Sequence, residues 1–326
     1  MDEQLERHCD NVVDAAWDGE IVFFLGAGVN LCGRPKDVDW APGGKYLPTG
    51  QELADYLAER FRLPAEESPD LARVAQFVSA ERGPARLSRE LHELFDVESA
   101  PTQIHRILAR LPHLLEAGAA RSPHQFIITT NYDDVLERAF REENTPFDLL
   151  VYIAHGEHRG RVLHFPHDGA PTVITEPNKM VELGLERSAI LKIHGAVDRE
   201  DAERDSWVIT EEHYVDYLTR TDISTWMPVG LSSRLQESNL ECLGYSLRDW
   251  NLRAILRRLR QDRAEGWKWW AVQLESAELD RSVWIKHDLE ILDADLDVYA
   301  DTLEAALQKG PQRGNGAGAG AGAEGP

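Results

Sequence analysis

The chain has 326 residues, enough to bury a full core as one large domain or two small ones. Hydrophobic residues make up 42 % and charged residues 28 %, the balance of a soluble globular protein, and no apolar run approaches the roughly 20 residues of a membrane helix. Thirty-five basic against 57 acidic residues give a net charge of −22, which disfavours direct binding to a phosphate backbone and so argues against nucleic acid as a direct partner. Residues 1–7 are acidic and lack an apolar core, so they do not form a secretory signal, and a cytoplasmic location is expected. Cys9, Cys32 and Cys242 show no paired spacing, which leaves neither a disulfide framework nor a zinc site.

The first strand signal is Ile21-Val22-Phe23-Phe24-Leu25, ending in Gly26-Ala27-Gly28-Val29-Asn30. A Gly/Pro-rich loop runs from Cys32 to Gly50, and Thr49 is placed to cap the helix that follows. Further helices are expected over 69–81, 84–96 and 101–111, with Pro84 and Pro101 near their starts. About a hundred residues thus separate the first strand from the second, far more than one crossover helix requires. Residues 50–120 are therefore expected to form an inserted helical lobe. Leu53, Tyr56, Leu57, Phe61, Leu71, Val74 and Phe77 recur in it at helical spacing; most are expected to pack inward, and exposed remainders of that set would serve self-association.

The second strand, 126–130, ends in Asn131-Tyr132-Asp133, and a helix is expected from about 133 to 141. Short strands follow at 149–154, 161–166 and 171–175. Strand 190–193 ends in His194-Gly195. Helices are expected near 211–220, 223–236 and 248–262. The last of these carries Arg253, Arg257, Arg258, Arg260 and Arg263 on what reads as a solvated face. Between the last two helices, strand 240–243 ends in Gly244-Tyr245-Ser246. Strands at 269–274 and 289–292 and a helix at 298–307 complete the pattern. Strands alternating with helices predict an α/β fold, a doubly wound parallel sheet. Residues 1–310 are expected to form the domain, and the Gly/Ala-rich residues 311–326 a disordered, dispensable tail.

Ligands of such sheets bind at the carboxyl ends of the strands, and here four strands end in Gly, Asn, His or Ser. Gly26-Ala27-Gly28 lets backbone approach a pyrophosphate and turns N–H groups toward an anion, although a tight turn without a ligand uses the same glycines. The Asn131 amide is suited to hold a ribose hydroxyl or position a water; it or Asp133 equally serves as a helix cap. His194 is a natural general base, and Gly195 beside it would leave room for a ligand, although a lone histidine is more often a core residue hydrogen-bonded to backbone. His155, His158, His164 and His167 lie on hairpins without a zinc-like register and read as polar surface.

Taken in order, Gly26-Ala27-Gly28, Thr130-Asn131-Tyr132-Asp133, His194-Gly195 and Gly244-Tyr245-Ser246-Leu247 resemble the signature motifs of the sirtuin family. The resemblance implies a Rossmann-like NAD-binding domain carrying a smaller insertion. It implies that the Gly-Ala-Gly loop lies over the pyrophosphate and that Asn131 and Asp133 face the nicotinamide and its ribose. It implies further that His194 is the base acting on the ribose and that Gly244 and Ser246 meet the adenosine half. Protein-deacylating sirtuins carry two Cys-x-x-Cys pairs between the last two motifs; here that stretch holds only Cys242, so the zinc module is absent. The Pro-Asp-Phe-Arg stretch is also missing, Asn30 stands where Ser is usual, and Thr130 stands where deacylases have Gln.

This zinc-less pattern is similar to the bacterial antiviral branch of the family. Those domains hydrolyse NAD to nicotinamide and ADP-ribose and starve infected cells, an abortive infection. They are fused to sensors or work with separate partners such as short Argonautes or HerA-type ATPases. The resemblance implies an NAD glycohydrolase with NAD as substrate and no metal. It also implies a homo-oligomer and, since no sensor is recognisable beyond residue 310, a separate partner protein. An NAD-dependent protein deacylase and a non-catalytic sensor of NAD or ADP-ribose are the alternatives.

Overall fold

A computed structural model describes residues 3–64, 70–219, 225–245, 266–274 and 289–312, together with the single positions 253, 256, 257, 284 and 286. Ser246 and Leu247, nearly all of the helix expected at 248–262, and the tail from residue 313 lie outside the described residues.

The described residues form one nine-stranded sheet in an α/β arrangement. The strands are β1 (Ile21–Leu25), β2 (Phe126–Thr129), β3 (Phe147–Tyr152), β4 (Val162–Phe165), β5 (Thr172–Ile174), β6 (Ser188–Lys192), β7 (Asn239–Leu243), β8 (Trp269–Val272) and β9 (Leu289–Leu292). Their spatial order is β5-β4-β3-β6-β2-β1-β7-β8-β9. Pairing is parallel from β3 through β9 and antiparallel only where the β4–β5 hairpin extends the edge. The central strands are buried on both faces, as all-parallel strands must be, which is why they read as unbroken apolar runs. Ile21, Phe23 and Leu25 point into one core and Val22 and Phe24 into the other.

The first core is closed by α1 (Glu3–Trp17), α5 (Gln103–Ala117), α6 (Val135–Glu142) and α9 (Leu296–Lys309). The sequence reading did not identify α1. Leu5, Cys9, Val12, Val13 and Ala16 mark it, an apolar stripe at helical spacing that packs with Tyr299 and Leu303 of α9. The opposite core takes Tyr217 of α7 (Glu211–Thr219) and Leu231 and Leu235 of α8 (Val229–Gln236). α8 starts six residues later than expected, directly after Pro228. No helix among the described residues is long and apolar enough to cross a membrane.

The helices between β1 and β2 divide. α5 is the crossover helix and lays Ile104, Leu108 and Leu111 on the sheet. α2 (Gly50–Arg60), α3 (Leu71–Arg82) and α4 (Pro84–Phe95) build a separate lobe around their own apolar cluster, which includes Leu57, Val78 and Leu91. Of the seven apolar residues at helical spacing, most of them expected to pack inward, Leu53, Leu57, Phe61 and Val74 are buried and Tyr56, Leu71 and Phe77 half-buried. Most of the stripe is consumed inside the lobe, and Tyr56, Leu71 and Phe77 keep part of their surface outside it.

Helix starts follow their caps. Thr49 caps α2 as its position predicts, and Glu52 completes a capping box: Thr49 Oγ1 accepts from the Glu52 N–H at 3.1 Å and Glu52 Oε2 from the Thr49 N–H at 2.8 Å. At α5 the same box uses a histidine, whose Nδ1 accepts from the Thr102 N–H at 3.2 Å. Burial lowers the pKa of His105 to about 4. The unfolded chain binds that proton below about pH 6.5 and the folded chain does not until about pH 4, so stability falls as pH drops through this window. His105→Gln keeps an acceptor at the same helix position without a titrating ring. It is expected to remove up to about 1.4 kcal/mol per pH unit from the slope of stability between pH 6.5 and 4, read by urea unfolding across that range.

Candidate active site

The four strands that carry the motifs, β6, β2, β1 and β7, are consecutive neighbours in the sheet. After β1 the chain builds one half of the sheet and then returns to β7 on the other side. The switch point therefore lies between β1 and β7, where open α/β sheets bind ligands.

At that point the two loops interlock. The Gly26 N–H donates to the Leu243 carbonyl and the Gly28 N–H to the Gly244 carbonyl, both at 2.9 Å. A Cβ on Gly26 would lie 2.6 Å from the Gly244 oxygen, and one on Gly28 2.8 Å from the Gly244 Cα. Gly244 itself has φ +75°. These glycines are required by the close approach of two backbones. That corrects the expectation that the N–H groups of Gly26 and Gly28 face an anion, because the opposite loop takes them.

A cleft of about 1150 Å³ covers this edge of the sheet. Ala27, Gly28, Asn30, Thr130, Asn131, Asp133, His194 and Gly244 line it. Gly26 sits behind the lining, bonded to the side chain of Asn131.

Each polar side chain here has a defined anchor. The Asn131 N–H donates to Thr129 Oγ1 at 3.0 Å and its Nδ2 to the Gly26 carbonyl at 3.2 Å, leaving Oδ1 buried and unpartnered. Asn30 Nδ2 donates to Asp133 Oδ2 at 3.0 Å, and its Oδ1 is likewise buried and unpartnered. Asp133 Oδ1 accepts from the Val135 N–H at 3.1 Å, so Asp133, rather than Asn131, holds the start of α6.

His194 is 6 % exposed, and its Nε2 has no partner. The rings of Tyr214 and Tyr217 meet it edge-on at 5.4 and 6.0 Å. Burial lowers its pKa to about 3, so the imidazole is neutral at physiological pH. Gly195 does not open space beside the ring. It has φ +87°, and a Cβ there would lie 2.1 Å from the Ser206 carbonyl oxygen, because the 206–208 segment crosses at that point and its Val208 N–H donates to the His194 carbonyl at 2.8 Å. Buried polar atoms are almost always paired. Three that are not, Asn30 Oδ1, Asn131 Oδ1 and His194 Nε2, belong to residues lining this single cleft.

Several lining residues had no assigned role in the sequence. Tyr245 stood inside the fourth motif; its hydroxyl donates to the Leu25 carbonyl at 2.7 Å, lies 3.0 Å from Thr130 Oγ1, and its ring stacks on Phe24. Tyr214 comes from α7, which carries no motif. Gln273 after β8 and Asp295 after β9 also line the cleft, a position that topology reveals and sequence spacing does not. Among the described residues no group of three or more His, Cys, Asp or Glu is arranged to hold a metal ion. His155, His158 and His167 are exposed, and His164 sits 3.7 Å from Asp148 Oδ1, away from the cleft.

One buried cation fastens the site. Lys192, two residues before His194, donates to the Asp133 carbonyl and to Glu137 Oε1, the latter at 2.7 Å. Removing one partner of such a pair strands the other charge in the core. Lys192→Met is therefore expected to cost about 3–5 kcal/mol, with most of the loss recovered in Lys192→Met/Glu137→Leu, as measured by chemical denaturation.

A model of the SIR2-like domain matches residues 125–292, just over half of the chain. The chain is 28 % identical over 254 residues to an NAD(+) hydrolase ThsA of Acinetobacter baumannii (strain 532279), covering 77 % of this chain and 41 % of that protein. It is 26 % identical over 250 residues to an NAD(+) hydrolase ThsA of Enterococcus faecium, covering 76 % and 41 %. With an NAD(+) hydrolase ThsA of Bacillus cereus (strain MSX-D12) it shares 25 % over 240 residues, covering 73 % and 39 %. The chain thus spans about two fifths of the length of these curated relatives.

Proposed function

The chain belongs to the SIR2-like domain family, and from that premise we propose that it is an NAD glycohydrolase, cleaving NAD to nicotinamide and ADP-ribose. The observation that carries this reading is the convergence of three unpartnered buried polar atoms on the cleft at the switch point of the sheet. A dinucleotide laid across that edge supplies the missing partners.

In the proposed reaction the bond between the ribose C1′ and the nicotinamide nitrogen breaks. The electron pair leaves with nicotinamide, which becomes neutral, and the ribose is left as an oxocarbenium ion. Water then attacks C1′ and loses its proton. Asn131 Oδ1 is placed to accept a hydrogen bond from that water or from a ribose hydroxyl. Asp133, held by Asn30, presents a carboxylate to the cationic ribose face. His194 enters neutral, so it adds no positive charge beside the oxocarbenium ion and keeps a nitrogen lone pair for the departing proton. Ala27 and Gly28 supply close backbone surface for the pyrophosphate, with Thr130 and Gly244 beside them; the adenosine contact expected of Ser246 lies outside the described residues.

An enzyme that consumes NAD needs a gate. We therefore retain in the proposal a cytoplasmic antiviral effector that works as a homo-oligomer and with a separate partner of the HerA-type ATPase or short-Argonaute kind. The relatives' names support the hydrolase; the gate is read by light scattering of the chain alone across micromolar concentrations, where a monomer throughout would remove the oligomer.

Losing a positioned general base costs about 10²–10⁴ in rate. His194→Ala and Asn131→Ala are each expected to reduce nicotinamide release from NAD by that order while circular dichroism stays unchanged. Full cleavage by both variants would refute the assignment. Release that depends on an added acetylated peptide would instead identify a deacylase, and tight NAD binding without release a sensor.

A further inference from the structure

The lobe carries a second concave surface of opposite character to the rest of this acidic chain. Arg60, Arg62, Arg82 and Arg86 surround a depression of about 490 Å³ that also includes Phe61. Three helix ends bring them together. Arg60 closes α2, Arg62 follows it in the left-handed conformation (φ +56°), Arg82 closes α3, and Arg86 lies in the first turn of α4, joined to α3 through Gly83 alone. The C-terminal ends of α2 and α3 favour cations there.

Among the described residues one carboxylate answers these four guanidinium groups. Glu90 is buried and accepts from the Tyr56 hydroxyl at 2.7 Å, from Arg60 Nε at 3.2 Å and from Arg86 at 3.1 Å. Arg86 also lies over the Phe61 ring at 5.9 Å. Arg62 and Arg82 are paired with no carboxylate among the described residues. Within this cluster four positive charges stand against the one negative charge of Glu90, a balance of +3, and like charges gathered in one concavity repel.

We propose that this pocket binds a polyphosphate group, a di- or triphosphate that is free or carried on a nucleotide. Guanidinium forks match phosphate oxygens in bidentate geometry. A carboxylate ligand brings one charge and leaves about two uncompensated, whereas a pyrophosphate or triphosphate brings about three or four at neutral pH. A nucleic-acid strand calls for a basic groove that tracks its backbone, and this is a single depression on an acidic surface. α2 and α3 begin at the cleft, where Gly50 and Leu71 line it, and run roughly 16–18 Å to the arginines. The two sites therefore do not overlap, and this proposal stands independently of the NAD reading.

Isothermal titration of the full chain with sodium tripolyphosphate, in about 150 mM salt to screen diffuse attraction, tests it. Saturable one-to-one binding in the micromolar range is expected, undisturbed by NAD. Arg62→Ala/Arg82→Ala leaves all three Glu90 partners in place and is expected to weaken binding at least tenfold, with circular dichroism unchanged. ATP binding more tightly than tripolyphosphate would identify a nucleotide as the carrier; equal affinity would identify the phosphate chain alone. Three results would overturn the proposal. The first is no binding of either probe at millimolar concentration. The second is binding indifferent to the double substitution. The third is tighter binding of a single-stranded oligonucleotide than of both small probes.

Discussion

The geometry of the cleft depends on a buried ammonium group. Lys192 stands at the end of β6, directly opposite Thr129 of β2 in the parallel register. Its side chain crosses to the backbone of Asp133 and to Glu137 in the first turn of α6. The loop bearing Asn131 and Asp133 is thereby fastened to the strand that delivers His194. A hydrophobic residue could fill the same volume at lower desolvation cost, but it would hold neither the Asp133 carbonyl nor the start of α6 in register. The sheet adds its own constraint. A slip of one residue between β2 and β6 would turn every side chain to the opposite face, so the spacing of Asn131 and His194 is a consequence of strand pairing.

The glycines at the switch point work on the other side of the same site. Gly26, Gly28 and Gly244 bring the β1 and β7 loops into backbone contact, and the cleft opens above that contact. Tyr245 covers the seam by reaching back to the Leu25 carbonyl and Thr130. Two loops that would be separate in a looser fold become one floor, which is why so few side chains are needed to define it.

Much of this was legible in the sequence because it rests on short apolar runs and the polar residues that end them. Strands β1, β2, β6 and β7 announce themselves, and so does the order in which their terminal Gly, Asn and His residues arrive. Their adjacency in the sheet follows from topology rules. What escaped were features decided by contacts between distant segments. Nothing near Gly195 in the chain reveals that Ser206 crosses over it, and nothing near Gly28 reveals that its N–H belongs to Gly244. α1 was readable from Leu5, Cys9, Val12 and Val13, but its acidic residues conceal the stripe when hydrophobicity is averaged along the segment. The apolar residues of the lobe were visible and their burial was not, because periodicity marks a face without saying what covers it.

On a chain of net charge −22, the anionic dinucleotide proposed for the cleft would meet an edge of the sheet where several helices begin. α2, α3 and α9 all begin at residues that line the cleft, and the anchor of α6, Asp133, lines it too. Their N-termini direct partial positive charge toward the ligand space. Four carboxylates at the same edge are already engaged. Glu52 is tied to Arg34 and the Thr49 cap, Asp70 caps α3, Asp295 caps α9, and Asp297 accepts from the Gly33 N–H. Acidic residues crowd the cleft because helices start there and helix starts select acids. Their oxygens are occupied by backbone N–H groups and an arginine, while at the floor Asp133 keeps its carboxylate beside neutral amides and a neutral imidazole.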